Sequence, residues 1–147
     1  MDRSKARTAL ERDLRRHRDA PTTPPRSGWI RAIRDALGMS TRELARRADL
    51  SAARISQIEK AERDRSLTLA NLERIADALG CRVEYVLVPH QPLDDIVWQQ
   101  ARQKAAEEVA SVDHTMALED QRPEVESTRQ RIDELARQLV DKRGLWS

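Results

Sequence analysis

The chain has 147 residues, of which 35% are charged and 3% are aromatic, and its net charge is +2. One cysteine, no apolar run long enough to span a bilayer and no segment with the layout of a secretory signal lead us to expect a cytoplasmic protein without disulfides or membrane contact. Residues 1–20 and 21–90 each carry net +3, whereas residues 91–147 carry −4. A basic front favours a polyanion such as DNA, and an acidic back indicates a different partner.

Residues 1–20 are predicted to form a basic helical arm that ends before the prolines at Pro21–Pro25. Ala6, Leu10 and Leu14 recur every four residues and give this helix a thin apolar stripe. Two roles are open for it. The arm either docks on the rest of the protein or contacts DNA directly.

Residues 28–80 have the pattern of a compact all-helical domain made of four short helices. Gly38 and Gly80 are predicted to end helices, while Ser40 or Thr41, Ser51 and Thr68 are predicted to start them. The predicted inward-facing side chains are Trp29, Ile30, Ile33, Leu37, Leu44, Ala45, Ile55, Ile58, Leu69, Leu72, Ile75, Ala76 and Leu79.

Residues 81–89 are rich in β-branched and aromatic residues and predict a β-strand bounded by Gly80 and Pro89. No second strand-like run occurs in the chain, and an unpaired strand leaves its backbone groups unsatisfied. We therefore expect this strand to pair with its copy in a homodimer. The residues predicted to form the dimer strand are Val83, Tyr85, Val86 and Leu87.

Residues 93–142 are predicted to form a helical hairpin that binds a partner. Apolar residues from Val97 to Met116 recur at steps of three or four, which predicts a helix from about Leu93 to Glu119. A second helix with an apolar face is predicted after Pro123. The predicted fold class is therefore all-α, with a compact four-helix domain, one dimerising strand and a C-terminal hairpin.

The segment MSTRELARRADLSAARISQIEK resembles the helix-turn-helix of the lambda-repressor-like (XRE) family of DNA-binding proteins. It has Leu44 and Ala45 on the first helix, a capping Ser51, and Ile55, Ser56, Ile58 and Glu59 at that family's spacing. Asp49 stands where the family usually has glycine. An aspartate tolerates the left-handed conformation that the turn requires.

The resemblance implies that the helix from Ser51 to Lys60 enters the major groove of a palindromic operator. Arg54 is then suited to guanine, Gln57 to adenine, and the alanines to a thymine methyl group. Glu59 is interpreted as structural, paired with either Arg31 or Arg34. The predicted base-contacting side chains are Ala52, Ala53, Arg54, Ser56 and Gln57, and the remaining predicted DNA-binding residues are Thr41, Arg42, Arg46, Ser51 and Lys60.

Most of the chain is similar to the family named mobile mystery protein A, through the segment GWIRAIRDALGMSTRELARRADLS, the strand CRVEYVLVP and the ending RGLWS. In that family the gene accompanies one for a Fic-domain protein, so the resemblance implies an antitoxin that represses its own operon and neutralises a Fic-domain toxin. Thr115 and Glu119 resemble the Fic inhibitory motif, in which a helix glutamate occupies the place of the ATP γ-phosphate. Asp120 departs from the glycine or asparagine usual there.

A rival function is a stand-alone transcriptional regulator whose C-terminal helices dimerise or sense a ligand. The three histidines, His17, His90 and His114, and the lone Cys81 have no metal-ligand spacing. The glycines form no phosphate-binding loop, and no catalytic cluster is visible. We therefore expect no enzyme activity, no metal and no cofactor.

Overall fold

The computed structural model describes residues 2–118 and 124–147, which contain seven α-helices and no β-strand. The described residues form two compact units. Pro21–Val86 form one, called here the front unit. The residues up to Ala20 together with Leu87–Ser147 form the other, called here the bundle.

The front unit contains four helices in the order that the sequence predicts. They are α2 (Trp29–Ala36), α3 (Thr41–Ala48), α4 (Ala52–Arg63) and α5 (Leu69–Ala78). Helix α3 packs against α4 and α5, and α2 packs against α4. Leu44, Ile55 and Ile75 are completely buried at the centre of this core.

Three of the predicted inward-facing residues of the front unit are substantially exposed. Trp29 is 44% exposed, Leu37 is 57% exposed and Leu69 is 46% exposed. Each lies at or beside a helix end, since Trp29 and Leu69 begin α2 and α5 and Leu37 follows α2. The helical period assigns a face correctly but does not say whether the core extends to the helix ends.

The bundle contains α1 (Arg3–Asp19), α6 (Leu93–Leu118) and α7 (Val125–Leu139). Helices α6 and α7 pack side by side over Ala101, Ala105 and Ala136, which are completely buried. They run antiparallel, because Gln100 lies beside Leu145 whereas Asp113 pairs with Arg131. The predicted hairpin is thus confirmed.

Helix α1 packs against α6, which is the docked arrangement of the two that the sequence left open. Leu14 is its buried residue, while Leu10 of the predicted apolar stripe is 51% exposed. Charged groups anchor the helix instead. Arg7 pairs with Asp141 and, at 2.6 Å, with Asp94. The Glu11 carboxylate accepts the Leu93 N–H at 3.1 Å and is held in place by Arg18 of the same helix.

The strand predicted for residues 81–89 requires a correction, because this segment has no regular secondary structure in the single chain. A strand needs a neighbouring strand for its backbone hydrogen bonds, and the described part of the chain offers none. The dimerising strand is therefore not an element of the single-chain fold.

Candidate nucleic-acid interface

Helix α3 begins at a capping box formed by Ser40 and Glu43. The Ser40 hydroxyl accepts the Glu43 N–H at 3.2 Å, and the Glu43 carboxylate accepts the Ser40 N–H at 2.7 Å. These two bonds satisfy N–H groups that have no partner within the helix. The bonds to Ser40 also lower the pKa of Glu43. Of the two caps that the sequence allowed, Ser40 is therefore the residue used.

The turn between α3 and α4 has the geometry that the sequence predicts. Asp49 ends α3 in the left-handed conformation, at φ 54° and ψ 50°. The Leu50 N–H then donates to the Ala45 carbonyl at 2.9 Å, and the Ser51 hydroxyl caps α4 by accepting the Arg54 N–H at 3.1 Å. Ile55 and Ile58 of α4 are buried in the core. Both ends of the turn are therefore fixed, and so is the direction in which α4 leaves it.

The outer face of α4 carries polar side chains that have no role in the core. Arg54, Ser56, Gln57 and Lys60 are all exposed, as is Ala53, while Ala52 is half-buried. Arg54 Nη1 lies 3.5 Å from Gln57 Oε1, one helical turn along. A guanidinium and a carboxamide side by side on an exposed helix provide the forked donors and the donor–acceptor pair that read guanine and adenine edges.

Two of the arginines on α3 are free to face solvent, and a third is used to hold the fold. Arg42 and Arg46 are exposed, beside a half-buried Thr41. Arg47 instead donates to the Ala78 carbonyl at 2.7 Å, and Arg74 of α5 donates to the Ala48 carbonyl at 3.0 Å. This reciprocal capping of the ends of α3 and α5 was missed by sequence reasoning, because the spacing of charges does not reveal which carbonyls they meet.

Glu59 is buried on α4 and paired with Arg34, which decides between the two arginines that the sequence proposed. Arg34 Nε lies 2.6 Å from Glu59 Oε1, and Arg34 Nη1 also donates to the Met39 carbonyl at 2.9 Å. The Arg34 side chain is 11% exposed and the Glu59 side chain is 7% exposed. The Glu59 carboxylate raises the pKa of Arg34. Arg31 lies near Asp35 instead, at 3.7 Å. The interpretation of Glu59 as structural agrees with this pairing.

A second carboxylate of α4, Glu62, holds the start of α2. Its oxygens accept the Trp29 N–H at 2.6 Å and the Ile30 N–H at 2.8 Å. Gly28, the N-cap residue, has no side chain to do this, and a Cβ there would lie 2.9 Å from Glu62. The signal available in the sequence was that α2 lacks a capping side chain of its own. Helix α4 is thus tied to α2 at two points, Glu59 and Glu62.

A helix-turn-helix family model matches residues 30–86. The match covers the front unit from α2 to the segment after α5, and it confirms the helix-turn-helix prediction. Domains of this kind insert their second helix into the major groove of DNA, so the match supports a DNA-binding transcription regulator. No curated protein and no solved structure matches the chain.

The remaining predicted sites lie outside the matched segment or at its end. Thr115 is exposed on α6 and its hydroxyl donates to the Ser111 carbonyl at 3.2 Å, whereas Glu119 lies outside the described residues. Val83 is half-buried, and Tyr85, Val86 and Leu87 are 70%, 42% and 81% exposed. Among residues 2–118 and 124–147, no group of three or more His, Cys, Asp or Glu side chains is arranged to hold a metal ion. None of the described helices combines the length and apolarity that crossing a bilayer requires.

Proposed function

We propose that the protein is a sequence-specific transcription regulator whose helix α4 reads bases in the major groove. The observation that supports this most directly is the division of α4 into two faces. Ile55, Ile58 and Glu59 fix one face to the core, while Arg54 and Gln57 stand exposed on the other. The backbone of a helix held in this way is already ordered before binding, so the cost of ordering falls only on its outer side chains.

Phosphate contacts come from α3 and from the ends of α4 in this proposal. Arg42, Arg46 and Lys60 supply positive charge, and Thr41 and Ser51 supply hydroxyl groups at helix starts. Backbone N–H groups and helix N-termini add to such contacts. Affinity should therefore fall steeply as the salt concentration rises, without a change in preferred sequence.

Two exposed arginines provide a matched test of the division between base and phosphate contacts. Arg54→Ala should weaken binding to the native operator by about 1–3 kcal/mol and relax the preference at one base pair. Arg42→Ala should weaken operator and shuffled DNA alike and reduce the slope of log affinity against log salt by about 1. Fluorescence anisotropy with both DNAs at several salt concentrations measures these quantities. Unchanged operator preference in Arg54→Ala would show that α4 does not read DNA at this position.

We also propose that the regulator is a homodimer on a palindromic operator. The support lies in Arg82–Val88, whose N–H groups donate no hydrogen bond within the described residues. Several large apolar side chains in this stretch are also exposed, including Leu87 at 81%. Such a segment is completed by pairing with the same segment of a second copy.

The finer proposal is that the chain is an antitoxin that represses its own operon and silences a Fic-domain toxin. It is supported by the resemblance to mobile mystery protein A, by the acidic back of the chain and by the exposure of Thr115 near the described end of the 26-residue helix α6. Glu119 follows Thr115 by four residues in the sequence. Its carboxylate is proposed to pair with an arginine of the toxin where the ATP γ-phosphate would bind.

Replacement of Glu119 by glutamine tests the antitoxin proposal, because it keeps the size of the side chain and removes its charge. Nucleotide transfer by the co-purified toxin should rise with Glu119→Gln while the complex stays assembled. Glu107→Gln, at an exposed glutamate on α6, is the matched control and should leave the toxin silent. Full silencing by the Glu119→Gln chain would refute the inhibitory role and favour the stand-alone regulator.

A further inference from the structure

An open apolar groove lies in the front unit beside the segment that follows α5. Its volume is about 480 Å³, and its walls include Trp29, Ile33, Leu72 and Leu79. Residues 81–84 form one side of it. Trp29, at 44% exposure, leaves a large aromatic surface in contact with water there. The groove is thus an apolar surface that remains uncovered in the single chain.

The segment along the groove has the alternation of a strand although it is not paired as one. Cys81 and Val83 are half-buried, and Cys81 packs against the core. Arg82 and Glu84 lie on the other side, where their side chains are 86% and 76% exposed. In the single chain they pair with each other, with Arg82 Nη2 3.0 Å from Glu84 Oε1, so the two charges already share one face. Tyr85 falls on the side of Cys81 and Val83 by this period of two, yet it is 70% exposed. Tyr85 therefore lies on the inward side of the segment but is not covered by other side chains of the single chain.

We propose that two copies of the chain pair antiparallel through Cys81–Tyr85 with the two-fold axis at Val83, so that Arg82 faces the partner's Glu84. The proposal rests on the homodimer proposed above and specifies its register. It assigns a single occupant to the groove, a second copy of this chain. That copy places its Tyr85 opposite Cys81 at the groove.

The charge pattern selects this register among those that the symmetry permits. Directly opposed residues in an antiparallel pair point to the same face. A two-fold axis perpendicular to the sheet must therefore lie midway between the two copies of one residue, which is then opposed to itself. An axis at Arg82 or at Glu84 would set two like charges opposite each other, which is destabilising. An axis at Tyr85 would set Glu84 opposite the partner's Val86. An axis at Val83 forms two Arg–Glu pairs between the copies.

The same register accounts for the apolar groove and the exposed tyrosine together. Val83 meets the partner's Val83 at the axis, on the face that lies toward the core. Each Tyr85 then lies beside Cys81 of the other copy, where the groove wall is formed by Leu79 and Ala76. Burial of an aromatic side chain in each of two symmetric sites favours association through the hydrophobic effect.

Charge reversal on the outer face tests the register without disturbing the core. Arg82→Glu or Glu84→Arg alone replaces two attractive pairs by two repulsive ones, and the dimer Kd should rise about tenfold. The double variant Arg82→Glu/Glu84→Arg restores opposite pairs and should return the Kd to within about twofold of wild type. Sedimentation equilibrium measures the three values, and thermal melting by circular dichroism checks that each variant stays folded. Dimers of equal Kd in all three variants would overturn the register.

Cross-linking at the axis gives an independent measurement. Opposed Cα atoms in antiparallel strands are about 4.5–5.5 Å apart, within disulfide range. In a Cys81→Ser background, Val83→Cys should therefore form a covalent dimer with oxidised glutathione, whereas Arg82→Cys should not. A dimer that cross-links through position 82 instead, or through neither position, would reject the register and leave the homodimer standing. A monomer at micromolar concentration in wild type would reject both.

Discussion

The two units of this protein differ in which side chains are completely buried. In the front unit the completely buried large side chains are Leu44, Ile55 and Ile75, each contributed by a different short helix. In the bundle, Ala101, Ala105 and Ala136 are completely buried between two long helices. Large aliphatic side chains fill a core among several helices, whereas alanines allow two helices to approach closely along their length.

Charged groups also serve the two units differently. In the front unit the buried pair of Arg34 and Glu59 lies beside the helix proposed to read DNA, and Glu62 reinforces the same position. In the bundle Arg7 pairs with Asp94 and Asp141, and Glu11 accepts the Leu93 N–H, so these polar groups attach α1, in which only Leu14 is buried. The front unit thus uses charge to orient a helix that its core already holds. The bundle uses charge to attach a helix that has little core of its own.

Among the substitutions that test this difference between the units, Leu44→Ala should have the largest effect on stability, because it removes a completely buried side chain from the front unit alone. We expect a loss of about 2–5 kcal/mol in the free energy of unfolding of that unit. Leu37→Ala, at a leucine that is 57% exposed in the same unit, should cost less than about 0.5 kcal/mol. Urea unfolding followed by Trp29 fluorescence, with Trp98 and Trp146 replaced by phenylalanine, measures the front unit. Equal costs at the two leucines would contradict the assigned core.

Ala105→Leu should have the next largest effect, now in the bundle. A leucine at this completely buried position overpacks the contact between α6 and α7 and should cost about 1–3 kcal/mol. Ala110→Leu places the same side chain on an exposed position of the same helix and should be nearly neutral. Fluorescence of Trp98 and Trp146 in a Trp29→Phe background reports this unit. A stabilising effect of Ala105→Leu would mean that the helices are less closely packed than described.

The features that the sequence predicts well are those decided by near neighbours in the chain. The caps at Ser51 and Thr68 and the left-handed Asp49 depend on a few consecutive residues, and the structure has all three. The two helices of the hairpin are also predicted from local spacing, because apolar residues recur at helical intervals over many turns on both sides of Pro123.

The features that sequence reasoning left open or missed depend on contacts through space. The choice of Arg34 over Arg31 for Glu59, and the capping of α2 by Glu62, require knowing how α2 lies against α4. The strand assigned to residues 81–89 is a related case. Its composition is that of a strand, but strand structure requires a second strand, and a single chain does not supply it. The contacts proposed for α4 also depend on a molecule outside the chain, the DNA.

The smallest predicted effect is a pH dependence of the bundle at acidic pH, and it tests the claim that ion pairs attach α1. The bond to Arg7 lowers the pKa of Asp141. The bond to Arg18 within α1 and the bond to the Leu93 N–H lower the pKa of Glu11. A carboxylate whose pKa is lower in the folded state stabilises the fold above its ordinary pKa. That contribution is lost as the pH falls from about 5 through the folded-state value.

Asp141→Asn removes one of these carboxylates and should lower the melting temperature of the bundle slightly at pH 7. Asparagine tolerates the left-handed backbone at this position, where φ is 63°, so the change acts mainly on charge. The difference from wild type should shrink as the pH falls below 4, because wild-type Asp141 is then progressively protonated as well. Asp13→Asn, at an exposed carboxylate on α1, serves as the matched control and should show no such convergence. A difference between Asp141→Asn and wild type that stays constant from pH 7 to pH 3 would mean that the carboxylate charge does not hold α1, and that its apolar contacts with α6 suffice.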